Sequence, residues 1–135
     1  MANDLKDYEF KNGVFYKGGV SFTHAVATIG KDHLYRGTSS SFTAIVATVK
    51  NGKIYAGDST SFTKQVGNVK NNQAYCGDST SFTKCVLTFK GGKIYEGSST
   101  SFTHEIGSIK GAEYVDEAYI AAFLHFFVSP VFSMR

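Results

Sequence analysis

Apolar positions along this chain return every 20 residues, a longer period than any single helix or strand imposes. An aromatic recurs as Phe15, Tyr35, Tyr55, Tyr75 and Tyr95, preceded by Val14, Leu34, Ile54, Ala74 and Ile94. A β-branched residue recurs at Val26, Val46, Val66, Val86 and Ile106, and a further apolar position runs Ile29, Val49, Val69, Phe89 and Ile109. Polar residues keep the same period. The triplet Ser-Phe-Thr begins at Ser21, Ser41, Ser61, Ser81 and Ser101. Identical triplets at one spacing mark five tandem copies of one structural unit. The first copy is irregular, with Asn12-Gly13 and Tyr16 one residue out of phase, as suits a terminal unit.

Two secondary structures compete for the second half of the unit. Phe62, Val66 and Val69 fall at helical spacing, and Asp58, Ser59 or Thr60 could cap such a helix. Against this, the segment is rich in Val and Thr, and Gly67 and Gly107 interrupt two copies. The turn residues decide for strands. Asn51-Gly52, Asn71-Asn72 and Gly91-Gly92 separate two apolar segments and suit the positive φ angles of a two-residue hairpin loop. With Asn51-Gly52 as the loop, Lys50 pairs with Lys53, Val49 with Ile54, Thr48 with Tyr55 and Ala47 with Ala56. One face then carries Ile45, Ala47, Val49, Ile54 and Ala56. The other carries Val46, Thr48, Tyr55, Gly57 and residues of the Phe62 and Lys64 type. Neither face is plainly polar, so both are expected to be covered.

The segment 112–135 offers a cover. From Glu113 to Val128 it lacks Gly and Pro, and Val115, Tyr119, Ala122, Phe123 and Phe126 form an apolar stripe at helical spacing. Ile120, Leu124 and Phe127 widen that stripe, so the helix is expected to be buried. Glu113, Asp116 and Glu117 favour its N-terminus, and Pro130 follows its end. The fold class expected is mainly β: five hairpin repeats (12–111) after a lead-in (1–11), with a hydrophobic C-terminal α-helix and tail (112–135), all in one domain. The hairpins could close into a barrel-like ring of about ten strands around the helix. They could instead stack as an open solenoid capped by it. The closed form is favoured because it removes exposed strand edges.

Composition narrows function mainly by exclusion. The chain has 135 residues, 12 Phe, 8 Tyr, no Trp and a single Pro. The net charge of +3 is mild. Lys50, Lys70, Lys90 and Lys110 form a row at one repeat position, which reads as a solvated edge rather than a nucleic-acid surface. No apolar run is long enough for a membrane-spanning helix. The N-terminus does not read as a signal peptide, and Cys76 and Cys85 do not spell a disulfide framework or a metal motif. A cytoplasmic setting and no cofactor are expected.

Three sets of residues could carry chemistry. Gly57-Asp58-Ser59, repeated at Gly77-Asp78-Ser79, looks like the start of a serine-esterase motif. Its recurrence, however, is what loop-forming Asp and Ser produce. His24 and His104 hold one repeat position in the first and last copies, and would become neighbours if a ring closed. They are the residues of the alternative reading, a small hydrolase or metal enzyme. The Tyr row (Tyr35, Tyr55, Tyr75, Tyr95) beside hydroxyls such as Ser61, Thr63, Ser81 and Thr83 would suit a carbohydrate or other small ligand, unless the Tyr residues are core. The tail packs Phe123, Phe126, Phe127 and Phe132 into ten residues, more than one small cavity holds, so a homo-oligomer contact is expected there. Because repeats multiply one surface, the leading reading is a non-enzymatic binding or assembly module. Its partner would be a second copy, another protein or a carbohydrate.

Overall fold

A computed structural model describes residues 5–133. Eleven strands run in strict sequence order through one antiparallel sheet. They are β1 (Tyr8–Lys11), β2 (Val14–Lys17), β3 (Ala25–Gly30), β4 (His33–Arg36), β5 (Ile45–Lys50), β6 (Lys53–Ala56), β7 (Gln65–Lys70), β8 (Gln73–Cys76), β9 (Cys85–Lys90), β10 (Lys93–Glu96) and β11 (Glu105–Gly107). The hairpin register follows from the turn residues. Lys50 faces Lys53, Val49 faces Ile54, Thr48 faces Tyr55 and Ala47 faces Ala56. The loop residues Asn51 and Gly52 have φ of 55° and 77°. Within the lead-in, Tyr8–Lys11 forms a strand paired along its full length to β2.

Four of the turns also join their hairpin to the next. The carbonyl of the second loop residue accepts from the following long strand: Gly13 from Ile29, Asp32 from Val49, Gly52 from Val69 and Asn72 from Phe89. At Gly52 a Cβ would stand 2.8 Å from the Val69 carbonyl oxygen. Gly52→Val therefore meets both a positive φ and a backbone contact. It is expected to destabilise the protein by roughly 1–3 kcal/mol in denaturant melts. An unchanged midpoint would contradict this account of the turn.

At the other end of each hairpin the register slips. Leu34 faces Ala47 but Tyr35 faces Ile45, and the same slip recurs between Ile54 and Tyr55 and between Ala74 and Tyr75. The recurrent β-branched residue is thus the extra residue of a bulge, which bends and twists the strand. The bulge corrects the expected faces. Ile45 moves to the Tyr side, while Val86 joins the core and Val26, Val66 and Ile106 pack against it.

The ladder is an open sheet and not the closed ring expected from the need to hide strand edges. An eleven-strand meander begins and ends with strands pointing the same way, so its ends can meet only in parallel. They do so at one point, a parallel bridge between Glu9 and Lys110, where the Phe10 N–H donates to the Lys110 carbonyl at 2.7 Å.

The C-terminal segment fills the concavity. It is not the cap of a solenoid edge. The helix α1 (Glu117–Phe123) begins later than its composition suggests, because the Asp116 carboxylate caps it by accepting from the Ala118 N–H. It continues through Val128 as a wider π turn, with the Ser129 N–H donating to the Leu124 carbonyl. α1 packs on β4, β5, β6 and β7, and a 3-10 turn at Val131–Ser133 packs on β8 and β9. The Phe123 ring stacks on Phe15 of β2 at 4.1 Å and meets Tyr8 of β1 edge-on. Gly67 leaves room for the Phe132 ring. Ala27, Leu34, Ala47, Ile54 and Ala74 line the sheet side of this core.

Candidate functional site

The Ser-Phe-Thr triplet belongs to no strand. In every copy its Phe opens a 3-10 turn, Phe22–His24, Phe42–Ala44, Phe62–Lys64, Phe82–Lys84 and Phe102–His104. In the last four copies the Ser side chain caps that turn by accepting from the Thr N–H. Its hydroxyl also lies 2.9 to 3.0 Å from the Thr hydroxyl. The Ser two places earlier caps in turn: Ser39, Ser59, Ser79 and Ser99 accept from the N–H of Ser41, Ser61, Ser81 and Ser101. Short polar side chains favour such local bonds over a strand ladder. They hold the phenyl rings in solvent. Phe22, Phe42, Phe62, Phe82 and Phe102 are 78, 78, 82, 77 and 82% exposed.

Topology gathers these rings. Each turn directly precedes one of β3, β5, β7, β9 and β11, and alternate strands of an antiparallel meander run the same way. All five Phe therefore lie at one end of the sheet, and the hairpin loops lie at the other. The helix runs between these ends. Near its start Glu117 accepts from Asn72 of the β7–β8 loop. Beyond its end the Phe132 carbonyl accepts from the Cys76 thiol, at the finish of β8. Phe126, Phe127 and Val128, half-buried, thus sit inside the Phe-bearing rim. His125 is beside them, its Nδ1 accepting from the Phe132 N–H. Burial pushes its pKa below the ordinary 6.5. Burial, with the Asp32 carboxylate next, raises the Tyr119 hydroxyl above its usual value.

Residues 15–119 match the model of a family described as 6-fold beta flower protein. That span is more than three quarters of the chain. The chain belongs to the 6-fold beta flower family. No curated protein and no solved structure matches it. A six-fold description suits the turns of this beta flower, at Asn12-Gly13, Lys31-Asp32, Asn51-Gly52, Asn71-Asn72, Gly91-Gly92 and, one repeat further on, a turn at Gly111. In the sixth unit β1 lies where a returning strand would stand, which gives the parallel seam.

The residues singled out from sequence fall differently within the flower. Tyr55, Tyr75 and Tyr95 are buried, and Tyr35 is half-buried. They point away from the helix, but the following loop folds over them. Thr48 and Thr88 donate to the carbonyls of Gly57 and Gly97, and Asn68 donates to those of Gly77 and Ser79. Ser61, Thr63, Ser81 and Thr83 are exposed, with their hydroxyls engaged in the capping just described. Phe123 and Phe132 belong to the core, so only Phe126 and Phe127 of the four expected interface residues offer surface. His24 and His104 end exposed turns. Among the described residues no three His, Cys, Asp or Glu side chains gather as metal ligands. Lys50, Lys70, Lys90 and Lys110 are exposed at the loop end, opposite the Phe rim.

The Gly-Asp-Ser loops gain a partner that sequence did not show. His33 lies 3.0 Å from the Asp58 carboxylate, and Lys53 lies 3.4 Å from that of Asp78. The same relation, one repeat apart and met equally by Lys, is a tie between neighbouring units rather than a His–Asp catalytic pair. The exposed Phe row was missed because the triplet was read as strand. The signal is its setting: in the last four copies a lone Phe among four or five Ser and Thr residues is capping chemistry, which puts the ring outside the ladder.

Proposed function

We propose that this beta flower is a non-catalytic contact module, and that its working surface is the end of the sheet bearing the Phe rim. The observation that carries this reading is one phenyl ring, about four-fifths exposed, at the same place in every copy. A folded chain gains nothing in stability from such rings. Exposed apolar groups grouped at one end mark a contact surface. The tail supports the reading by adding Phe126 and Phe127 inside the rim. The buried Tyr row gives little support to a carbohydrate face.

The test uses anilinonaphthalene sulfonate, a dye that brightens on apolar surface. The native chain is expected to bind it saturably while fully folded. The variant Phe42→Ser/Phe62→Ser/Phe82→Ser should lose most of the signal and keep its melting temperature. Equal dye binding by both proteins would overturn the reading.

Self-association through half-buried Phe126 and Phe127 is a second reading. It predicts a mass above 14.7 kDa in light scattering at micromolar concentration. That mass should fall with Phe127→Asp, and a single-chain mass for the native protein would end this reading.

A further inference from the structure

We infer that the Phe rim docks on the interface of an anionic lipid bilayer. This rests on the contact reading above and names the occupant of that surface.

Geometry is the first ground. The repeats are near-copies arranged around one helix, and the ends of the sheet meet at Glu9 and Lys110 without a continuous ladder. Copies related by rotation place equivalent atoms on one circle, and a circle lies in a plane. Neighbouring Phe-bearing turns are two strands apart, roughly 10 Å. Such an arc suits a flat, fluid partner that touches every ring at once. A folded protein would need a separate pocket for each. The hollow inside the rim is not bare either, because Phe126, Phe127 and Val128 keep part of their surface exposed there.

Charge is the second ground. The turns that carry the rings hold no acidic residue, and His24, Lys64, Lys84 and His104 end four of them. Of the acids in the adjoining loops and strands, Asp78 and Glu105 are drawn sideways to Lys53 and Lys93, and Asp58 lies beside the His33 ring. Lys17 and Arg36, both exposed, end β2 and β4 at the same side, against exposed Glu96 and Asp7. Phenyl rings among cations match the boundary between acyl chains and anionic headgroups. Two copies meeting rim to rim would set Lys64 and Lys84 against their own likes, which disfavours a second copy as occupant.

Binding would be peripheral. No helix among the described residues is long and apolar enough to cross a membrane, and the rim needs only to sink its rings to the headgroup boundary.

The experiment is co-sedimentation of the full chain with phosphatidylcholine vesicles, with and without phosphatidylserine. The native chain is expected to pellet with the phosphatidylserine vesicles and less with phosphatidylcholine alone. Phe22→Ser, Phe62→Ser and Phe102→Ser should each weaken partitioning by roughly tenfold, and to similar extents, because a plane touches the whole circle. Lys64→Glu/Lys84→Glu should abolish the preference for phosphatidylserine. All these side chains are exposed, so unchanged melting curves will show that folding is intact. A native chain that stays in solution with both vesicles overturns the proposal, as does pelleting that the Phe variants leave unchanged. If vesicles fail while the dye still reports the rim, the contact reading stands and its occupant is a protein.

Discussion

A chain ending at Gly111 is expected to lose cooperative folding. Residues beyond that point place Ala118, Ile120, Ala121, Ala122, Phe123, Leu124, Val131 and Phe132 in the core. Without them, Ala27, Leu34, Ala47, Ile54 and Ala74 would line an empty hollow, and the hairpins would keep only their ladders and loop ties. Secondary structure without a packed interior gives a molten state: dye binding, a broad thermal transition and aggregation. The loss is not local, since the C-terminal segment touches β1 and β2 through Phe123, β4 to β7 through α1, and β8 and β9 through the last turn. A truncated chain that melts sharply near the temperature of the full one would show the helix to be an accessory.

The same chemistry at two positions gives the second large effect. Phe123→Ala should cost about 3–5 kcal/mol, because the ring is fully buried and stacked on Phe15 and Phe127, and its removal leaves a cavity at the centre of the fold. Domains are stable by only about 5–15 kcal/mol, so this one substitution brings the protein close to unfolding. Phe62→Ala removes an equal ring that touches mostly water, and should change stability by less than about 0.5 kcal/mol. Denaturant melts of the two variants measure the contrast. Similar losses would mean that the rim ring is packed.

How much of this was legible in the sequence depended on whether the decisive interaction is local. The hairpin register was, because a pair such as Asn51-Gly52 fixes two positive φ angles, and the pairing then follows by counting outward. The buried helix was also legible from its all-round apolar surface, though not its start, which the Asp116 cap sets. The bulge at Val26, Val46, Val66 and Val86 was not, since a β-branched residue suits a regular strand equally well. Missing it placed Val46 and Ile45 on exchanged faces. The fate of the Tyr row turned on a loop folding back over the sheet. The anchors of that loop, Thr48, Asn68 and Thr88, look in sequence like ordinary outward strand residues. The odd number of strands, which makes the seam parallel and leaves the ladder open, depended on recognising Tyr8–Lys11 as a strand beside the last unit. The Phe rim is the least legible feature, because the helical spacing of Phe62, Val66 and Val69 spans the whole segment. Only the first three residues after each capping Ser are helical.

The central claim is that the recurrent Phe stands in water at one end of the flower, free to meet a partner. The chain contains no Trp, so Phe62→Trp introduces a single reporter at that rim. The measurement is indole emission of the folded variant in buffer, with acrylamide as quencher. A red-shifted band, quenched as readily as free indole, is the result this account predicts. A blue-shifted band shielded from acrylamide would contradict it, because the ring would then be packed within the protein and the rim would offer no surface.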